Sequence, residues 1–307
     1  GSPQIRNNTF NNIDGGQGIY ISGDSAIVSG NTLVAVDGNG ITISSSQSAQ
    51  ILNNNITSSG NGISIINSSD AEIDSNHIFA GGSDGIYVTG SSNTSIQSNN
   101  ITGGSSDGIF LDVQNDGVII TGNSITGNSS NGIDIDEYNN YMTILENGIS
   151  DNGSCGIKYD RYNDNATIRD NNILGNTAGG IYLHQSNDNM LIQGNEIASN
   201  GSYGIYVANP SSSSYSNNQI DIVQNVISDH TGHGIEYSYS YGDILQNLIV
   251  NNGSNGIYIY YAQGDFEVRN NTIDGNSEDG LYWRSNSESF HTLNARNNSI
   301  TSNGDHG

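Results

Sequence analysis

Two short patterns recur along this chain at nearly fixed intervals, and they limit its fold more than any other feature. Gly-Ile-x-apolar begins at Gly18, Gly40, Gly62, Gly85, Gly108, Gly132, Gly156, Gly180, Gly204, Gly234 and Gly256, and closes as Gly280-Leu281. Apolar-x-x-Asn-x-apolar places its Asn at 8, 31, 54, 76, 99, 123, 147, 171, 195, 225, 247, 271 and 298. Most copies lie 22 to 24 residues apart. A unit this short buries an apolar face only by stacking on its neighbours, so the chain is an array.

The alternation chooses the kind of array. Runs such as ITIS, ISII and IYVT alternate apolar with polar residues and are rich in β-branched side chains, the period of a half-buried strand. No stretch carries convincing helical periodicity. Coils of this length predict an all-β, right-handed parallel β-helix of about 12–13 coils of 22–24 residues, stacked ~4.8 Å apart. Glycine before each strand is expected to supply a tight turn. The recurring Asn is expected to be buried and to bond the coils above and below. Residues 1–307 form a single β-helix domain in this reading. Gly1-Ser2 reads as an expression scar, and the chain as a piece of a longer protein. The wider spacing from Gly204 to Gly234 predicts a projecting loop around Asn209-Pro210 and serines 211–214, and the Ser285–Ser289 tract stretches another coil.

Composition narrows the partners. A formal charge of −24, with one lysine (Lys158) and six arginines, excludes nucleic acid as the default partner. The acidic, lysine-poor surface fits a secreted or cell-surface protein. Cys155 is the sole cysteine, so no internal disulfide forms, and its place before a strand-opening Gly reads as structural. No run reaches the ~18 apolar residues of a membrane span, so no membrane insertion is expected.

Four central segments of equal length stand apart: GIFLDVQND, GIDIDEYNN, GIKYDRYND and GIYLHQSND. Aligned, they put Asp112, Asp136, Asp160 and His184 in one column and Phe110, Asp134, Lys158 and Tyr182 in another, both expected on one exposed face. Carboxylates ~4.8 Å apart repel by ~3 to 4 kcal/mol per pair at an effective dielectric of 20. A cation such as Ca²⁺ on Asp112, Asp136 and Asp160, a shared proton, or Lys158 and Arg161 folding over the column would relieve this. No organic cofactor is implied. The bland readings are a solvated acidic face, an ion-paired Lys158 and an idle His184. Tyr182, Tyr206, Tyr258 and Tyr282 recur in the second column, with Tyr239, Tyr260 and Tyr261 beside them, and Tyr138 and Tyr162 end central segments. Flat rings next to acid fit a polysaccharide groove, though tyrosines also brace strands. Asn115, Asn139, Asn163 and Asn187 are either a turn ladder or oxygen ligands for Ca²⁺. The remaining histidines, His230 and His233 among them, are read as structural and outside this face.

The chain resembles the pectate-lyase-like β-helix superfamily over essentially its whole length. CGIKYDRYNDNATIRD, from Cys155, is similar in frame to the YGFDPH segment and following LTIRD strand of mannuronan epimerase modules, and NGIDIDEYNNYMTI, from Asn131, is another such frame. Asp134 stands at the motif's Asp position, and His184 at its His position two coils later. The resemblance implies an extracellular protein that binds a uronate-containing polysaccharide and modifies it by β-elimination or epimerisation. Lys158, His184, Asp160, Asp136 and Tyr162 would be catalytic, and Asp134, Arg161, Tyr138, Tyr182, Tyr206 and Tyr258 would contact substrate. Two alternatives stay open: a glycoside hydrolase with Asp112 and Asp160 as a pair ~9.6 Å apart, and a non-catalytic surface repeat.

Overall fold

The computed structural model describes residues 2–209, 217–285 and 291–306, so the expected loop at 210–214 and the tract at 286–289 lie outside the described residues. The chain divides into two compact units, Gly1–Gly153 and Ser154–Gly307. Each is a right-handed parallel β-solenoid, and the described residues contain no helix. Three strands make one coil. In the first unit, for example, Glu72–Asp74, His77–Ala80 and Ile86–Thr89 follow one another into three different sheets. Each strand pairs in parallel with its equivalent one coil away, as in Ile86↔Ile109 and Val88↔Leu111.

Inward residues of all three sheets are mostly isoleucine. Ile73, Ile78 and Ile86 are each fully buried in one coil, and Ile168, Ile173 and Ile181 in a coil of the second unit. β-branched side chains lose little rotamer freedom on a pleated strand and stack well in register. Tyr159 and Tyr237 replace the usual aliphatic residue inside the second unit and are fully buried.

All three corners of the coil carry a buried amide ladder. At the corner between the first and second sheets, Asn76 donates from its backbone N and from Nδ2 to Asn99 Oδ1 (2.9 and 3.0 Å), and from Nδ2 to the Ile51 carbonyl (2.8 Å). The pattern continues through Asn99 to Asn123, and in the second unit from Asn171 through Asn195, Asn225 and Asn247 to Asn271. A turning backbone cannot pair with itself at a corner, and the amide supplies the missing partners. At the corner between the third sheet and the first sheet of the following coil, Asn115 bonds Asn139, and Asn163 bonds Asn187. All four are completely buried. Of the two readings of these residues, the turn ladder is the one the fold uses. The third ladder, unforeseen from sequence, runs Asn128 to Asn152, and in the second unit Asn176, Asn200, His230, Asn252 and Asn276.

The strand-opening glycines have a different cause from the expected turn. None takes a positive φ. A Cβ on Gly85 would run into the Ile101 methyl and reach 2.5 Å from the Gly108 carbonyl oxygen, and Gly62 and Gly108 are equally crowded. Close approach of successive coils is what demands glycine here.

Candidate functional site

The Gly-Ile strands of the second unit, Cys155–Arg161, Gly179–Gln185, Tyr203–Val207, Ile235–Ser238, Ile257–Ala262 and Leu281–Ser285, form one sheet. Register aligns Lys158, Tyr182, Tyr206, Glu236, Tyr258 and Tyr282 in a single row. Their neighbours Ile157, Tyr159, Ile181, Leu183, Ile205 and Val207 point inward and are buried, so the row faces out.

At the start of this row the expected residues meet. Asp160 Oδ1 lies 2.8 Å from His184 Nδ1, and Asp160 Oδ2 lies 3.8 Å from Lys158 Nζ. One carboxylate thus faces both an imidazole and an ammonium, with all three side chains about 30% exposed (28–30%). A carboxylate on Nδ1 fixes the tautomer and leaves Nε2 as the basic nitrogen. Tyr182 stacks on His184, centroids 5.9 Å apart and planes 24° apart, and packs against Tyr206 at 5.5 Å. Tyr203 closes the group at 6.1 Å from Tyr182 and 5.3 Å from Tyr206, its hydroxyl 3.4 Å from the Cys155 sulfur. Gly179 makes room for that ring, since a Cβ there would strike it.

The tyrosines are held neutral. Burial, followed by the neighbouring Tyr206, Cys155, Asp160 and Glu236, pushes the Tyr182 hydroxyl up to about 12. Burial likewise raises Tyr203 and Tyr206. These groups are proton donors at neutral pH rather than bases. Farther along the row, burial pushes the Glu236 carboxyl up to about 7. His233 stacks on Tyr258 at 4.6 Å, nearly parallel at 6°, which corrects its expected place away from this face. Tyr258 also stacks on Tyr282 at 4.9 Å.

Other expected residues lie apart from this group. Arg161 is exposed and pairs in register with Gln185. Tyr162 follows the strand with a left-handed backbone (φ 60°), its N–H bonded to the Ser186 carbonyl at 2.8 Å. In the first unit Asp112 is tied to Tyr87, whose hydroxyl donates to Oδ2 at 2.7 Å, and Tyr87 packs on Phe110 at 5.8 Å. Asp134 is 8% exposed, accepting from Asn131 Nδ2 at 3.0 Å, so it does not present its carboxylate on an exposed face as expected. Asp136 is half-buried, and Tyr138 is 50% exposed on a left-handed turn (φ 58°). The positions in register with the Asp160–His184 column in later coils are not exposed throughout, because Ala208 and Ser238 are buried.

Ca²⁺ on Asp112, Asp136 and Asp160 finds no cluster to hold it: among the described residues no three His, Cys, Asp or Glu side chains converge as a metal-binding group. Asp112 is committed to a tyrosine hydroxyl and Asp160 to His184 and Lys158. Glu236, Tyr203, Tyr87 and His233 were missed. Glu236 was legible, since GIEYS at Gly234 puts it in the row of Tyr182 and Tyr206, and so was the Cys155–Tyr203 contact, since both stand one residue before a strand-opening glycine with Gly179 between them in register.

A family model described as "Right handed beta helix region" matches residues 1–147 and 162–307. A second, "Periplasmic copper-binding protein (NosD)", matches residues 84–223. Copper does not suit the soft donors of that span: Met142, Met190 and Cys155 are 1%, 2% and 4% exposed and packed in the interior or against Tyr203. No curated protein sequence matches the chain. Among solved structures, the Azotobacter vinelandii mannuronan C-5 epimerase AlgE4 A-module is similar with TM-score 0.70 and 13% identity, over 99% of this chain and 88% of that one. A variant of the periplasmic alginate epimerase AlgG gives 0.68 and 17%, over 90% and 74%. The GH87 α-1,3-glucanase of Streptomyces thermodiastaticus strain HF3-3 gives 0.59 and 15%, over 96% and 64%. At these identities the likeness is one of fold.

Proposed function

The chain belongs to the right-handed β-helix family, and we propose that this member binds an acidic polysaccharide along the outward tyrosine row and abstracts the C-5 proton of a uronate beside Asp160 and His184. The observation that carries the reading is the Asp160–His184 contact of 2.8 Å, with Lys158 on the other carboxylate oxygen and Tyr182 stacked against the imidazole. An α-carboxylate makes C-5 acidic only if its developing charge is stabilised, and Lys158 is the cation at hand. His184 Nε2 takes the proton while Asp160 holds the imidazolium that forms. Tyr182, kept protonated by burial, donates in turn. Its proton, delivered to the departing oxygen at C-4 as that bond breaks, completes elimination. Tyr182 and His184 lie stacked on one side of such a ligand, so epimerisation would instead be completed by a solvent proton reaching C-5 from the opposite face. Tyr206 and Tyr258 would stack on neighbouring sugars, and Arg161 would meet a further carboxylate. Asp112, Asp134, Asp136, Tyr138 and Tyr162 are assigned no step. Alginate epimerases of the same fold, named above, act on such a polymer, and a location outside the cytoplasm accords with the periplasmic proteins it resembles.

Incubation with polymannuronate, polygalacturonate and neutral glycans, with and without Ca²⁺, tests this. The ultraviolet absorbance of an unsaturated uronate marks elimination, and a changed uronate configuration by NMR marks epimerisation. New reducing ends without unsaturation would instead mark a hydrolase. Binding without any product would leave a carbohydrate-binding repeat. His184→Ala is expected to lower kcat/KM by roughly 10²–10⁴-fold and Asp160→Asn by roughly 10²-fold.

A further inference from the structure

We propose that Glu236 selects which sugar occupies the position two coils from His184, admitting a uronate when it carries a proton and only a neutral, hydroxyl-bearing sugar when ionised. The proposal rests on the polysaccharide reading above and specifies its substrate class. In register Glu236 stands between Tyr206 and Tyr258, and two coils from Tyr182, a rise of ~9.6 Å. That is too far to reach the atoms His184 handles but within the span of a neighbouring sugar. Its flanks are aromatic: Tyr182, Tyr206 and Tyr258 are the groups whose ionisation feels its charge. Among the described residues the Glu236 carboxyl accepts no hydrogen bond and meets no cation. Lys158 is engaged by Asp160, Arg284 lies over Tyr260 and Tyr261, and His233 faces Tyr258, Asn255 and Glu278.

A half-buried carboxyl in register between two tyrosines is placed to meet a ligand that stacks. Ionised, it accepts from vicinal sugar hydroxyls and repels a sugar carboxylate. Protonated, it donates to that carboxylate. Burial brings the change close to neutrality, about 7.

Binding of polymannuronate, polygalacturonate and a neutral glucan is to be measured by titration calorimetry from pH 5 to 8.5. Wild type, Glu236→Gln and, as a matched loss of one charge on another sheet of the same unit, Glu196→Gln are compared. Wild type and Glu196→Gln are expected to lose affinity for the polyuronates roughly fivefold as pH rises through about 7, while Glu236→Gln stays at the low-pH level. Neutral glucan is expected to bind Glu236→Gln more weakly than wild type at high pH. Identical pH profiles in wild type and Glu236→Gln overturn the selection by Glu236 and leave the polysaccharide reading standing. No binding of any glycan at any pH overturns both.

Discussion

At the residue scale, Asp160 carries two duties that pull against each other. Its carboxylate fixes the His184 tautomer and also neutralises Lys158. A uronate arriving at Lys158 therefore competes with Asp160 for the ammonium. Lys158→Ala is expected to lower kcat on polyuronates and to weaken their binding while neutral-glycan binding is unchanged, which turnover assays and titration of both would show. Glu236 shows the same economy in a stability experiment. Its folded-state value, about 7, lies above the ordinary 4.5, so the folded chain holds the proton where the unfolded chain has lost it. This contribution is complete below about pH 4.5 and is lost as pH rises through about 7, amounting to at most about 3 kcal/mol. Urea midpoints followed from pH 5 to 8 are expected to fall for wild type relative to Glu236→Gln.

At the element scale the corners carry their own stability. A strand repeats one buried isoleucine from coil to coil, and each corner depends on an amide that serves two coils. Asn99→Ala would leave the backbone N–H of Asn76 and the Ile73 carbonyl without their side-chain partner, and is expected to cost about 2–3 kcal/mol in chemical denaturation. His230 is the exception that tests the rule. It fills an Asn position of the third ladder, 2% exposed, with Nε2 facing the Ile197 carbonyl at 3.0 Å. Burial lowers it to about 4, below the ordinary 6.5. The unfolded chain takes up a proton first, so stability falls as pH drops from about 6.5 to about 4, by at most about 3 kcal/mol. His230→Asn is expected to remove that acid sensitivity in melts across this range. The Asn at fixed spacing made the first ladder plain in the sequence. The third was open to the same reading, since each of its members from Asn128 to Asn276 stands five residues after an Asn of the first ladder, with His230 the one change of residue type among them.

On the scale of the whole molecule, charge and period govern. With a formal charge of −24, the protein repels the polyuronates it is proposed to bind, and raising salt toward 0.1 M, where the screening length is about 10 Å, is expected to strengthen that binding while neutral glycans are unaffected. The period exposed the fold because every coil repeats the same burial problem. Half the site was equally legible, since Lys158, Asp160, His184, Tyr182 and Tyr206 share one strand register. The column of Asp112, Asp136, Asp160 and His184 was legible as spacing, but spacing alone does not say where a carboxylate turns. Asp112 turns to Tyr87 and Asp160 to His184, and in the neighbouring column Asp134 is buried against Asn131. The most direct test of the central claim is proton NMR of polymannuronate and polygalacturonate incubated with the protein in D₂O. Loss of the H-5 signal with wild type, abolished by His184→Ala, is the expected result. An intact H-5 on both polymers, or a loss that persists in His184→Ala, would contradict it.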